Sequence, residues 1–171
     1  LRTNGNYVVE GTGSSRQQID SCFVKGDFMI NDHAGSKNGY INYLRVEGTA
    51  HFGGNTDWGF TSFNNYGTCE FLGDVTITGK NNYFENCLFA KNATIADSTT
   101  FNNLTLTPGY SYIFPANDTI YIDSTINASG SCIQKIDIQS SVSGAQASIS
   151  KTTGNVTISD IILKREAKSS I

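Results

Sequence analysis

The sequence predicts an all-β solenoid: a single-stranded parallel β-helix with coils of about 16–21 residues. Three observations carry that prediction. A short apolar triplet returns as Cys69-Glu70-Phe71, Cys87-Leu88-Phe89 and Leu104-Thr105-Leu106, at steps of 18 and then 17 residues. Between the triplets a second strand phrase repeats 18 residues apart, as Val75-Thr76-Ile77 and Ala93-Thr94-Ile95. Asn, Ser and Thr supply 53 of the 171 residues and Gly another 17, a mixture that favours short strands and turns. Ser, Thr and Asn side chains compete for the backbone groups a helix needs.

Taken in order, residues 1–60 carry the weakest repeat. Strands are expected at Tyr7–Glu10, Cys22–Val24, Phe28–Ile30, Ile41–Val46 and His51-Phe52, separated by Gly-rich turn sequences at 11–15, 35–39 and 53–55. A helix competes only at Arg16–Ser21. Either irregular first coils or a cap over the end of the stack fits this part. Residues 61–163 form the regular coils. Within each triplet the outer residues share one strand face, so Cys69/Cys87/Leu104 and Phe71/Phe89/Leu106 are expected to stack as inward columns. Phe63, Phe84 and Phe101 are expected to make an aromatic column, and Asn65, Asn86 and Asn103 either an amide ladder or plain turn positions. Further strands follow at Tyr112–Phe114, Ile120–Ile122, Ile136–Ile138, Ala147–Ile149 and Val156–Ile158, with steps of 16 from Ile120 to Ile136 and 20 from Ile136 to Val156. Turns are expected at 127–131 and 140–144, and a last strand at Ile158–Leu163. Residues 164–171 read as a polar tail or a cut continuation. The chain reads as one domain, a piece of something longer.

Charge and composition narrow the partners. The net charge is −3, and only Lys164-Arg165 brings two basic residues together, whereas a nucleic-acid surface needs a basic stripe. No window of about 18 apolar residues offers a membrane span. The four cysteines show no Cys-x-x-Cys spacing and lie away from His33 and His51, so no zinc site is expected. Cys69 and Cys87 occupy the same place in successive repeats; a disulfide between stacked coils and a pair of buried thiols both fit.

The segment Phe101–Lys151, with Phe101-Asn102-Asn103-Leu104-Thr105-Leu106-Thr107-Pro108-Gly109, Tyr112-Ile113-Phe114, Ile136–Ser141 and Gly144–Lys151, resembles a recurrent β-helix segment of large secreted and cell-surface proteins of Bacteroidota, many adhesin-like and exported by the type IX system. The resemblance covers about the last 110 residues. It implies a right-handed β-helix, a stalk or adhesive module at the cell surface or outside the cell, and no defined catalytic site. It also implies a glycoprotein. The Asp-Ser/Thr-aliphatic or Thr pattern that carries O-glycans in such proteins occurs at Asp97-Ser98-Thr99, Asp118-Thr119-Ile120 and Asp123-Ser124-Thr125, placing candidate glycans on Ser98, Thr119 and Ser124 in exposed turns.

Catalysis is the weaker reading. Polysaccharide lyases and hydrolases on β-helices need clustered carboxylates with a basic partner. Asp27, Asp32 and His33 lie near one another and Asp57 is beside Trp58, but neither group recurs at coil spacing next to a base. No cofactor is expected. Sugar binding without turnover competes more strongly: Trp58 with Asp57, and Tyr66, Tyr83, Tyr110, Tyr112 and Tyr121, would stack on sugar rings if exposed. Core or corner placement is the alternative for each. The resulting expectation is a structural or adhesive, non-catalytic module whose partners are other segments or subunits at the coil ends and surface glycans. A carbohydrate-binding or carbohydrate-active β-helix is the alternative.

Overall fold

The computed structural model describes residues 1–9, 17–30, 39–53, 64–79 and 82–164. Its strands are β1 (Arg2–Thr3), β2 (Tyr7–Val9), β3 (Gln17–Val24), β4 (Phe28–Ile30), β5 (Gly39–Val46), β6 (Ala50–Phe52), β7 (Asn64–Phe71), β8 (Val75–Ile77) and β9 (Asn82–Phe89). They continue as β10 (Ala93–Ile95), β11 (Thr99–Leu106), β12 (Ser111–Phe114), β13 (Thr119–Ser129), β14 (Ile136–Ser140), β15 (Ser148–Lys151), β16 (Val156–Ser159) and β17 (Ile161–Lys164). No helix occurs among the described residues. From β1 to β14 successive strands alternate between two parallel sheets, and from β3 to β14 the strands of the first are the longer. One runs β1-β3-β5-β7-β9-β11-β13-β15, with β16 also on β13; the other runs β17-β14-β12-β10-β8-β6-β4-β2. Each coil is one long strand, a turn, one short strand and a connection to the next coil. The fold is a parallel β-solenoid of about six turns.

The burial of β9 shows how one strand lines so much core. Asn82, Phe84, Cys87 and Phe89 point inward and are buried, while Glu85 and Asn86, two residues in a row, face outward. That break in the two-residue alternation bends the strand. The same break occurs at Asn102-Asn103 in β11. Phe52 of short strand β6 faces both limbs of the bend, with ring centroids 5.1 Å from Tyr66, 5.4 Å from Phe84 and 5.4 Å from Phe71. Gly67 sits at the β7 bend, where a Cβ would lie 2.2 Å from the carbonyl oxygen of Asn42 in the coil below.

Register is kept coil after coil. Cys22 pairs with Leu44, Leu44 with Cys69, Cys69 with Cys87, Cys87 with Leu104 and Leu104 with Ile126. The predicted column therefore exists and runs further than the repeat showed. Val46, Phe71, Phe89 and Leu106 form the second column, all at most 2% exposed. In the short-strand sheet Phe28, Ala50, Val75, Ala93 and Tyr112 stack in the same way.

Several expectations are corrected. The aromatic column is Tyr66/Phe84/Phe101, not one that begins at Phe63: Tyr66 precedes Cys69 by three residues, as Phe84 precedes Cys87 and Phe101 precedes Leu104. Phe63 itself lies outside the described residues. Asn65 pairs with Tyr83, and Thr68 takes the place below Asn86. The competing helix at Arg16–Ser21 is overturned, since β3 occupies Gln17–Val24. Ile120 stacks on Thr99 and Ile149, and Ile136 on Ile161, so the steps of 16 and 20 compared positions from different sheets. Asn127–Ser129 belongs to β13 and is not a turn. The single strand expected at Ile158–Leu163 is two strands, because Asp160 takes a left-handed φ of 49° and moves the chain from one sheet to the other. The described strands of residues 1–53 follow the same two-strand plan, with steps of 22 and 25 residues along the column from Cys22 to Leu44 to Cys69, longer than the central 18 and 17.

Candidate functional site

With the inward positions filled by core, the chemistry available to a partner lies at the turns, the ends and the outward face of the long strands. The turns after β1, β3, β5 and β7 are built from Gly followed by Asx or Thr, and the turn after β9 places Asn92 after Lys91 at the same point. Gly26, Gly48 and Gly73 stack so closely that a Cβ at Gly48 would lie 2.4 Å from the Gly26 oxygen, and one at Gly73 2.0 Å from the Gly48 oxygen. The Asx residues at this point reach one coil up with their side-chain oxygens. Asn6 Oδ1 accepts from the Asp27 N–H at 2.8 Å, Asp27 Oδ1 from the Thr49 N–H at 2.9 Å, Asp74 Oδ1 from Asn92 N–H at 3.3 Å, and Asn92 Oδ1 from Ser111 N–H at 3.0 Å. The Thr49 backbone N–H and hydroxyl hold the Asp27 carboxyl below its ordinary range. Asp27, expected among candidate acids, is therefore a ladder rung. Its signal was present in the phrases Gly5-Asn6-Tyr7, Gly26-Asp27-Phe28 and Gly73-Asp74-Val75, which repeat at steps of 21 and 47.

On the outward face of the long strands, side chains run in columns parallel to the solenoid axis. At the bend Asn103 Nδ2 donates to Asn86 Oδ1 at 3.0 Å, and Asn86 Nδ2 to Thr68 Oγ1 at 3.5 Å. One column over, Asn102 Nδ2 donates to Glu85 Oε1 at 2.7 Å. The Tyr83 hydroxyl donates to Glu85 Oε2 at 3.0 Å and the Tyr40 hydroxyl to Asn42 Oδ1 at 3.3 Å. The Tyr83 hydroxyl is pushed up to about 12, first by burial and then by the hydrogen bond and charge of Glu85, with Asp123 adding to it. Register links Tyr40, Asn65, Tyr83, Thr100 and Tyr121 in one column. Near the other edge of the strands Arg45 bonds Glu70 at 2.8 Å.

The remaining predicted residues fall as follows. Cys69 and Cys87 pair in register between β7 and β9, buried, and both are free thiols. Burial pushes both thiols well up. Tyr66 and Tyr112 are core residues at 1% and 0% exposure, which corrects their place among sugar-stacking candidates. The Tyr112 hydroxyl instead ties down a turn, accepting from the Thr107 N–H at 2.8 Å and donating to the Thr107 carbonyl at 2.9 Å. Tyr83 and Tyr110 are half-buried and Tyr121 is exposed. Trp58, Asp57, Asp32 and His33 lie outside the described residues. Ser98, Thr119 and Ser124 are half-buried rather than in exposed turns, the last two within β13. The Ser98 hydroxyl donates to Asp118 Oδ1, and that bond is the first cause of a lowered Asp118 carboxyl. No group of three His, Cys, Asp or Glu that would hold a metal ion occurs among the described residues.

The end of the stack differs from its middle. Val156, Ile158 and Leu163 continue the inward positions of Ile126, Ala128 and Ile138. They are 56%, 45% and 71% exposed, against 2%, 0% and 8% one coil below. Phe114, Ile138, Ala147, Ile149 and Leu163 line an open cleft at this end.

No protein-family model, curated protein or solved structure matches the chain.

Proposed function

We propose that this chain is a structural and adhesive β-solenoid module of an extracellular or cell-surface protein, with no catalytic role. The observation that carries the reading is the apolar end formed by Val156, Ile158 and Leu163, inward-facing positions that stand exposed and that no further strand among the described residues covers. Exposed apolar rows beside unpaired strand edges mark a surface made to be covered. The partner that fits is another coil of the same kind, contributed by a further segment of the same protein or by a neighbouring subunit, because a parallel strand would satisfy the edges of β16 and β17 that no described strand pairs, in the register used throughout. The resemblance to Bacteroidota surface β-helices supports the placement outside the cell.

Sedimentation velocity tests the reading. The intact chain is expected to associate in a concentration-dependent way, and the paired change Ile158→Lys with Leu163→Lys to abolish that association while circular dichroism stays unchanged. A wild-type chain that remains monomeric across the concentration range, and fails to bind an added coil-forming segment, would count against it.

A further inference from the structure

Resting on the adhesive reading, the geometry points to what the outward face holds: an unbranched, uncharged polysaccharide of β-1,4-linked pyranoses, laid along the solenoid axis over Tyr40, Tyr83 and Tyr121. Tyr40 pairs with Asn65 and Asn65 with Tyr83; Tyr83 pairs with Thr100 and Thr100 with Tyr121. The three rings thus recur at every second coil. With adjacent strands about 4.8 Å apart, the repeat is about 9.6 Å. An extended β-1,4-linked chain turns over at each residue, so the same sugar face returns at every second ring, at a distance close to this one. One tyrosine would meet one disaccharide, three times in succession.

The rings are placed to serve as platforms. The hydroxyls of Tyr40 and Tyr83 reach Asn42 and Glu85, two residues further along their own strands, so those rings lie along the sheet surface instead of standing off it. Tyr40 and Tyr121 are 37% and 44% exposed. The C–H groups of a pyranose face cover such a ring as apolar surface. Thr100, between Tyr83 and Tyr121, is short enough to leave a linking sugar room.

Specificity comes from the neighbouring column. Asn42, Glu85, Asn102 and Asp123 stand two residues further along their strands than Tyr40, Tyr83, Thr100 and Tyr121, and supply the amides and carboxylates that sugar hydroxyls would meet. Few converging polar groups on an apolar platform are what fix a sugar's orientation. Between Asp20 and Asp123 the tyrosine column and the column beside it hold carboxylates and no Lys or Arg. That charge disfavours uronate or sulfated chains and leaves neutral ones.

Isothermal titration of the intact chain with cellohexaose, cellobiose and hexagalacturonate tests the inference. Cellohexaose spans all three rings and cellobiose one, so the hexamer is expected to bind at least about tenfold more tightly. Hexagalacturonate is expected to bind more weakly than cellohexaose. Tyr121→Ala, an exposed position whose loss leaves the core intact, is expected to weaken cellohexaose binding about tenfold, with the unfolding midpoint unchanged. No cellohexaose binding, equal affinity for the dimer and hexamer, equal or tighter hexagalacturonate binding, or an unaffected Tyr121→Ala would each overturn it. Loss of glycan binding with end-to-end association retained removes this inference alone; loss of both removes the module reading with it.

Discussion

Asn103 donates from its side-chain amide to the side-chain carbonyl of Asn86, one coil below, at 3.0 Å. Asn86 in turn donates to Thr68 at 3.5 Å. Three coils are thus joined by side chains at the bend where two consecutive outward residues interrupt the strand alternation. Asn86→Ala removes the acceptor of one bond and the donor of the other. The positions are largely solvated, so the expected loss is about 1 kcal/mol, read as a lowered urea midpoint without a change of slope.

Gly73 is expected to tolerate no side chain. A Cβ there would stand 2.0 Å from the Gly48 carbonyl oxygen, a backbone atom fixed by its own coil. Gly73→Ala is predicted to destabilise by about 2–3 kcal/mol. Gly5→Ala, with nothing within 4 Å of the added carbon, is the control and should be nearly silent in the same thermal melts.

Phe84 occupies the centre of the aromatic interior, 4.9 Å from Tyr66 and 5.3 Å from Phe101 between ring centroids, and is fully buried. Phe84→Ala leaves a cavity that rigid neighbouring coils cannot close, with an expected cost of about 3–5 kcal/mol. Phe84→Leu should recover most of it.

The cysteines make a chemical prediction. Cys22, Cys69 and Cys87 are buried, and burial pushes their thiols up, while Cys132 is exposed. Only a thiolate reacts readily. Under native conditions a thiol reagent should therefore modify Cys132 alone, and all four cysteines once the chain is unfolded. Only two reactive thiols in denaturant would instead show the Cys69–Cys87 bridge.

Asp118 links acid stability to a candidate glycosylation residue. The Ser98 hydroxyl is the main group holding its carboxyl below the ordinary value. A folded-state pKa lower than the unfolded one stabilises the fold above the unfolded value, about 3.9, and that contribution is lost as pH falls through the folded pKa. Ser98→Ala should raise the Asp118 pKa, seen by carboxyl-carbon NMR titration. Its stability deficit relative to wild type should be present at neutral pH and vanish in strong acid. A glycan on Ser98 Oγ would remove the same donor and reproduce the shift.

Much of this molecule could be read from its residues in order. The solenoid plan, the strand phrases Val75–Ile77 and Ala93–Ile95, and the columns through Cys69/Cys87 and Phe71/Phe89 follow from alternation and a repeated step, because each coil buries its apolar residues in the same rows as its neighbours. What the chain order could not reveal is which residues come to lie at the same height when coil lengths differ. Connections of unequal length hid the rise from Cys22 through Leu44 to Cys69, and a one-residue irregularity in β13 moved Tyr121 to five residues before Ile126, where Tyr40 and Tyr83 stand four before Leu44 and Cys87. Alternation assigns a side chain to the inside or the outside of a strand. Only strand pairing, by fixing register between segments of different length, sets Tyr40, Tyr83 and Tyr121 in one line and places Val156, Ile158 and Leu163, though exposed, in the inward rows.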